Sequence, residues 1–203
     1  MEEYRARLYK WFDFLLLPIA DFLIRFHLTP NRLSIIGLGL NVVSALLIVS
    51  GGRAIGGLVF LLAGLIDLFD GTVARRGGLA TEFGGFLDSN LDRIAEGIIF
   101  AAIAYTFAAN GQAAAAGAVV LALTGSFMVS YVRARAEALG LTGKSGIASR
   151  FERLLLISAA LMTGFVEPAV YLLLIITAIT VTQRMWSTYW QLEEKNAGKK
   201  SPR

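Results

Sequence analysis

The chain has 203 residues, 56% of them hydrophobic, and a mean hydropathy of +0.62. This apolar content is too high for an ordinary soluble domain and fits a protein that crosses a membrane several times. The absence of cysteine excludes disulfides and thiolate chemistry, and the single histidine, His27, leaves almost no material for histidine-based triads or metal sites. The net charge of +4 fits basic residues on the cytoplasmic side of a membrane, and we expect no nucleic-acid partner.

The first thirty residues mix charged and apolar side chains. Over residues 11–26 the apolar side chains recur at helical spacing, and Asp13, Asp21 and Arg25 fall largely off that stripe. This pattern predicts an amphipathic helix over residues 1–30 that lies in the membrane interface. An irregular first spanning helix is the alternative, but charges at the centre of a bilayer are costly.

The rest of the chain predicts six membrane-spanning helices in one domain of residues 1–203. Thr29-Pro30-Asn31 is a natural helix start, because proline fits the first turn and Thr29 can cap it. We predict spans over about 33–49, 55–75, 83–107, 113–138, 150–166 and 168–190. A glycine-rich loop over 139–149 separates the fourth and fifth spans. Residues 193–203 read as a flexible cytoplasmic tail.

The distribution of basic residues predicts the orientation. Lysine and arginine crowd the N-terminus, the 75–76 turn, the 133–153 region and the tail, whereas the alternate loops are nearly bare. With six spans the basic loops share one side, which places both termini in the cytoplasm. We expect an integral protein of the cell (plasma) membrane.

Four aspartates interrupt the second and third predicted spans. Asp67 and Asp70 share one face of the second helix, and Asp88 and Asp92 share one face of the third. Carboxylates that face each other in a low dielectric repel, and a divalent cation relieves that repulsion. Oxygen ligands without histidine or cysteine favour Mg²⁺, Mn²⁺ or Ca²⁺ over zinc. Buried ion pairs with nearby arginines, and a cation transport pathway, are the two alternative interpretations.

The full pattern resembles a known signature. Asp67-x2-Asp70-Gly71-x2-Ala74-Arg75-x8-Gly84-x3-Asp88-x3-Asp92 matches that of the CDP-alcohol phosphotransferases without a departure. The six spans and the amphipathic N-terminal helix are also similar to that family. The resemblance implies a membrane enzyme of phospholipid biosynthesis that transfers a substituted phosphate from a CDP-linked donor to an alcohol and releases CMP. It also implies a homodimer and a cytoplasmic metal site.

The same resemblance implies a role for each signature residue. Metal ligands are Asp67, Asp70 and Asp88, with two Mg²⁺ (or Mn²⁺) ions expected, and Asp92 is the catalytic base with a further metal contact. Residues expected at the nucleotide are Asn31, Asp67, Asp70, Gly71, Ala74, Arg75 and Gly84.

The acceptor alcohol is predicted from later arginines. The basic residues of the last three spans and of the loop between the fourth and fifth are Arg133, Arg135, Lys144, Arg150, Arg153 and Arg184. This charge suits an acceptor that carries its own phosphate, although topology and lipid headgroups explain part of it. The Tyr131-x-Arg-Ala-Arg-Ala-Glu137 run followed by Glu152-Arg153 is similar to the branch that makes phosphatidylinositol phosphate. The resemblance implies that Arg133, Arg135 and Arg153 bind the phosphate of the acceptor. It also implies CDP-diacylglycerol as the donor and inositol phosphate as the acceptor. Glycerol 3-phosphate is the alternative acceptor.

Overall fold

The structure is a computed structural model that describes residues 21, 24–25, 29–143, 146–147 and 149–200. Its described part is all-helical. The helices are α1 (Pro30–Val49), α2 (Arg53–Arg76), α3 (Glu82–Ala109), α4 (Ala113–Ala138), α5 (Arg150–Thr163) and α6 (Val166–Lys200). The all-helical prediction is therefore confirmed, and all six predicted spans begin within three residues of a helix start.

Local sequence signals set the helix ends that border the site. Pro30 occupies the first turn of α1, where its missing N–H costs nothing. Thr81 caps α3, because its side-chain oxygen accepts a hydrogen bond from the Gly84 amide at 3.0 Å. The Ser149 amide at the start of α5 donates to Glu152 Oε2 at 2.8 Å in a capping box. These signals set the starts of α1, α3 and α5, although Thr29 makes no side-chain cap bond to α1.

The six helices form a ring, in which α1 contacts α2, α2 contacts α5, α5 contacts α6, α6 contacts α4, α4 contacts α3, and α3 contacts α1. The helices alternate in direction, because all connections except residues 139–149 are short and the pairing of Arg150 with Asp67 puts the start of α5 beside the end of α2. The start of α1, the end of α2, the start of α3, the end of α4, the start of α5 and the end of α6 consequently meet at one end of the bundle, called the site end below. The apolar core, which includes Ile48, Phe100 and Leu161, fills the other half.

Small residues allow close approach between α2 and α5. A Cβ atom added at Gly57 would lie 2.7 Å from Leu161 Cβ and 3.0 Å from the Ser158 carbonyl oxygen. These distances are shorter than van der Waals contact, so the backbones could not approach in this way with a larger residue. By contrast, the backbones of α2 and α3 do not contact each other. Their facing carboxylates meet across the gap.

Four helices are long and apolar enough to cross a membrane by length and composition: Pro30–Val49, Arg53–Arg76, Ala113–Ala138 and Val166–Ala197. The chain is an integral membrane protein. Helix α5 has 14 residues and a length of about 21 Å, which is shorter than a bilayer core of about 30 Å. Gly164 ends α5 in the left-handed conformation (φ +85°), earlier than the sequence predicts.

The C-terminal segment differs from the prediction. The sequence predicts a flexible tail from 193, yet α6 continues as a helix to Lys200. Its extension contacts the loop after α4, where Gln191 Oε1 accepts hydrogen bonds from the Thr142 amide and hydroxyl at 2.9 Å. Lys195 Nζ also donates to the Leu139 carbonyl at 2.7 Å. These contacts account for the additional helical turns. The predicted interfacial helix of residues 1–30 lies largely outside the described residues.

Candidate active site

Three of the four predicted aspartates converge between α2 and α3. One carboxylate oxygen each from Asp67, Asp70 and Asp88 lies within 4.8 Å of the other two. Asp70 is buried, and its Oδ2 accepts a hydrogen bond from Ser34 Oγ at 2.8 Å. The hydroxyl thereby connects α1 to the cluster.

This cluster fits a divalent metal ion. Asp88 Oδ1 is buried and has no hydrogen-bond partner in the described part of the chain. A buried carboxylate oxygen without a partner is costly, and two further carboxylates nearby add repulsion. A hard cation would coordinate the unpartnered oxygen and would also relieve the repulsion between the carboxylates. The donor set contains only oxygen, which agrees with the predicted class of metal.

Asp92 lies outside this three-residue cluster. It follows Asp88 by one turn of α3, and its Oδ1 accepts from Arg150 Nη2 at 2.8 Å. Arg150 Nη1 also pairs with Asp67 Oδ2. Arg150 therefore bridges the metal cluster and Asp92 from the first turn of α5. Arg150 is one of the basic residues expected near a phosphorylated acceptor, and its spacing of three from Arg153 predicts a shared helix face, but the sequence does not predict its pairing with the two aspartates.

A first cavity borders the cluster on the side of α1, and we call it the donor cavity because most residues that the resemblance predicts for the nucleotide of the donor line it. Its volume is about 230 Å³. It is lined by Asn31, Asp70, Gly71, Ala74, Arg75, Thr81, Gly84, Gly85 and Asp88, among others. Every predicted nucleotide residue except Asp67 lines it. A Cβ atom at Gly84 would lie 3.1 Å from Asn31 Oδ1 and 2.9 Å from Thr81 Oγ1, so the glycine keeps this wall open.

A second cavity of about 650 Å³ lies on the side of α4, α5 and α6, and we call it the acceptor cavity because Arg133 and Arg153, which the resemblance predicts for the acceptor, line it. Asp92 lines it, but the other three aspartates do not. It gathers five arginines from four helices: Arg93, Arg133, Arg150, Arg153 and Arg184. Ser89, Asn90, Ser130, Tyr131 and Glu137 are among its polar neighbours. The arrangement can bind a small polyanion beside a carboxylate.

One predicted acceptor residue is not part of this cavity. Arg133 and Arg153 line it, whereas Arg135 is exposed and does not. Positions two apart on a helix are separated by about 200°, so Arg133 and Arg135 point to different sides of α4. Glu137, four residues after Arg133, shares its face and pairs with its Nε at 2.8 Å. Arg184 lies in the cavity instead, and its Nη1 donates to the Val129 carbonyl at 2.7 Å. Lys144 lies outside the described residues.

Comparison with known proteins identifies the family. The family model of CDP-alcohol phosphatidyltransferase matches residues 27–188. The chain belongs to the CDP-alcohol phosphatidyltransferase family. It is therefore an enzyme, and the predicted resemblance is confirmed. The alternatives of a transport pathway and of purely structural ion pairs do not describe this family.

Two curated relatives carry specific names. The chain is 35% identical to the archaetidylinositol phosphate synthase of Methanothermobacter thermautotrophicus, over 95% of this chain and 96% of the relative. It is 35% identical to the phosphatidylinositol phosphate synthase of Mycobacteroides abscessus, over 83% of this chain and 80% of the relative.

A solved structure is also similar to this CDP-alcohol phosphatidyltransferase. The crystal structure of Mycobacterium tuberculosis phosphatidylinositol phosphate synthase with CDP-DAG bound matches with a TM-score of 0.78 at 31% identity, covering 86% of this chain and 93% of that one. The same protein in complex with manganese and citrate matches with a TM-score of 0.79 at 32% identity, covering 86% and 88%. At this identity the likeness extends to the family and not only to the fold.

Proposed function

We propose that the enzyme transfers the phosphatidyl group of CDP-diacylglycerol to a hydroxyl of inositol phosphate and releases CMP. The observation that carries this proposal is the position of Asp92. It lies in an arginine-rich cavity, one helical turn from a metal-binding cluster that borders a separate cavity. The names of the two curated relatives and of the crystal structures support the same substrates.

The donor side holds the nucleotide and the metal. Asp67, Asp70 and Asp88 would hold Mg²⁺ or Mn²⁺, with two ions expected. When bound, such ions neutralise a pyrophosphate and stabilise the departing phosphate of CMP. Asn31, Gly71, Ala74, Arg75 and Gly84 form walls of the donor cavity, where they flank the cytidine nucleotide. Asp67 contributes only through the metal, because it does not line that cavity.

Asp92 accepts the proton of the attacking hydroxyl. The new bond joins that oxygen to the phosphatidyl phosphorus, the bond to CMP breaks, and the proton passes to the carboxylate. A carboxylate beside cations is a weak base, so its position matters more than its basicity. Arg150 holds Asp92 at 2.8 Å and supplies that position.

The acceptor cavity selects a phosphorylated alcohol. We assign the acceptor phosphate to Arg133, Arg153 and Arg184, whose guanidinium groups can fork phosphate oxygens. Arg135 is not included, because it does not line the cavity. The polar groups Ser89, Asn90 and Ser130 suit the hydroxyls of a polyol. Glycerol 3-phosphate also carries a phosphate and is the second candidate acceptor.

The membrane arrangement is part of the proposal. We infer that α3 and α5 complete a six-span bundle, with the site end and both termini in the cytoplasm of a cell whose plasma membrane holds the enzyme. The basic side chains at the site end support this orientation. We further expect a homodimer, a single catalytic domain over residues 1–203, and the interfacial helix at its N-terminus.

A panel of acceptors tests the proposal. The purified enzyme receives CDP-diacylglycerol and Mg²⁺, and CMP release is followed with inositol phosphate, glycerol 3-phosphate, inositol or serine. We expect inositol phosphate to give the highest kcat/KM, and Asp92→Asn to abolish release while metal binding is largely kept. Highest activity with unphosphorylated inositol would contradict the role of the arginines. Parental activity of Asp92→Asn would refute the assignment of Asp92 as the catalytic base.

A further inference from the structure

A third acid continues the functional face of α3. Asp88, Asp92 and Glu96 follow each other at intervals of four residues, so all three point to one side of the helix. Asp88 belongs to the metal cluster and Asp92 to the acceptor cavity. Glu96 belongs to neither cluster nor family signature, and it is mostly buried, with 11% of its side chain exposed.

Glu96 is paired with the most deeply buried arginine of the acceptor cavity. Its Oε1 accepts from Arg153 Nε at 3.3 Å and from Ser126 Oγ at 2.5 Å. Only 3% of the Arg153 side chain is exposed. A buried guanidinium needs a counter-charge and fixed hydrogen bonds. Glu96 provides this counter-charge, and the hydroxyl of Ser126 on α4 holds the Glu96 carboxylate in place through its hydrogen bond.

The pairing with Glu96 leaves the terminal nitrogens of Arg153 available for a phosphate. Glu96 engages Nε, whereas phosphate is bound by a fork that includes the terminal guanidinium nitrogens. Two acid–arginine pairs therefore cross from α3 to the first turn of α5 side by side. One joins Asp92 to Arg150 at 2.8 Å, and the other joins Glu96 to Arg153 at 3.3 Å.

We propose that Glu96, held by Ser126, is a positioning residue that orients Arg153 for the acceptor phosphate. This inference rests on the proposed function, because it assigns Arg153 to the acceptor. Glu96 does not touch substrate in this scheme, and it acts only through the guanidinium. Its loss should therefore impair use of the acceptor and leave use of the donor unchanged.

The steady-state kinetics of Glu96→Ala and Glu96→Gln test the proposal. We expect Glu96→Ala to raise the KM for inositol phosphate about tenfold, as loss of one charge-assisted hydrogen bond implies, with the KM for CDP-diacylglycerol within about twofold of the parent. The amide oxygen of Glu96→Gln still accepts from Arg153 and Ser126, so this variant should recover most of the acceptor KM. A merely structural role would move both KM values together and would not be rescued in this selective way.

A double-mutant comparison separates this inference from the proposed function. If Glu96 works through Arg153, Glu96→Ala combined with Arg153→Ala should be no worse for the acceptor KM than Arg153→Ala alone. An acceptor KM raised by Arg153→Ala but not by Glu96→Ala would overturn the inference and leave the acceptor cavity intact. An acceptor KM that Arg153→Ala does not change would overturn the proposed acceptor site, and the inference with it.

A milder variant covers the case in which Glu96→Ala does not fold. Ser126→Ala removes one hydrogen bond to the carboxylate and should raise the acceptor KM by about threefold. Ser44→Ala is the matched control, since Ser44 is also fully buried and donates across helices, to the Gly56 carbonyl at 2.7 Å, away from both cavities. Equal acceptor KM values in the two serine variants would refute the positioning role.

Discussion

The donor cavity makes a quantitative prediction at two adjacent glycines. Gly84 and Gly85 both line this cavity in the first turns of α3. A Cβ atom at Gly84 would lie 2.9 Å from Thr81 Oγ1 and 3.1 Å from Asn31 Oδ1, whereas one at Gly85 would meet no atom within 4 Å. The same substitution at neighbouring positions therefore has different consequences.

The magnitude of the Gly84→Ala effect follows from these contacts. Thr81 must rotate away and weaken its cap on the Gly84 amide, which costs about 1 kcal/mol. The better helix propensity of alanine offsets this by up to about 1 kcal/mol, so stability should change little. The displaced Asn31 side chain loses a contact to the nucleotide of about 1 kcal/mol, which corresponds to about a fivefold higher KM for CDP-diacylglycerol. Gly85→Ala should weaken no cap, but Gly85 also lines the cavity, so the control for the donor KM is Gly117→Ala on α4, outside both cavities, where an added Cβ also meets nothing within 4 Å.

Measurement of CMP release against CDP-diacylglycerol concentration, at saturating acceptor, checks this prediction. Thermal unfolding of both variants in the same detergent serves as the control for stability. If Gly84→Ala and Gly117→Ala showed the same donor KM, the assignment of Asn31 and Gly84 to the nucleotide would be refuted. A fivefold change in the acceptor KM alone would also contradict it, because neither glycine lines the acceptor cavity.

Three further predictions concern the metal, the helix packing and the pH dependence. Asp88→Asn should lose most Mn²⁺ binding in a direct titration, and parental affinity would exclude Asp88 as a ligand. Gly57→Ala should lower the unfolding temperature, because overpacking costs about 1–3 kcal/mol of folding free energy. Gly117→Ala should not lower it, because an added Cβ there meets nothing within 4 Å. A hydrogen bond of 2.6 Å from Arg76 lowers the pKa of the Asp21 carboxyl below its usual value of 3.8. The contribution of this pair to protein stability is therefore present above pH 3.8 and is lost as the pH falls through the lowered pKa. The difference in unfolding temperature between the parent and Asp21→Asn should accordingly shrink below pH 3.8, and a difference that grew there would contradict this linkage.

The acid cluster could be predicted because its signals are local. Spacings of three and four along α2 and α3 put the carboxylates on single faces, and hydropathy places those faces inside an apolar bundle. The lining of the donor cavity was predicted by the family resemblance instead, which gave Asn31, Gly71, Ala74, Arg75 and Gly84 to the nucleotide. Helix periodicity therefore predicted the elements and the acid cluster, and the resemblance predicted the cavity beside it.

The acceptor cavity could not be predicted to the same depth, because it depends on the order of helices in the ring. Nothing in the sequence states that α4, α5 and α6 lie together, so Arg93 was not assigned to the cavity, and Arg184 was named only among the basic residues of the later part of the chain. The choice of Arg135 followed a sequence motif rather than helix geometry, which separates it from Arg133. The length of α6 was also underestimated, since the partners of Gln191 and Lys195 are residues 49 and 56 positions earlier.

In the proposed function, helix α3 divides the two substrates between its successive turns. Asp88 lines the donor cavity and Asp92 lines the acceptor cavity, yet the two positions are only about 6 Å apart along the helix axis. A phosphate held at the first and a hydroxyl held at the second can therefore meet without either substrate leaving its cavity. Because Arg150 pairs with both Asp67 and Asp92, the charge of the base is tied to that of the metal cluster. Changes at Asp92 and at Arg150 should consequently be non-additive, whereas changes at Gly84 and Glu96, in separate walls, should add.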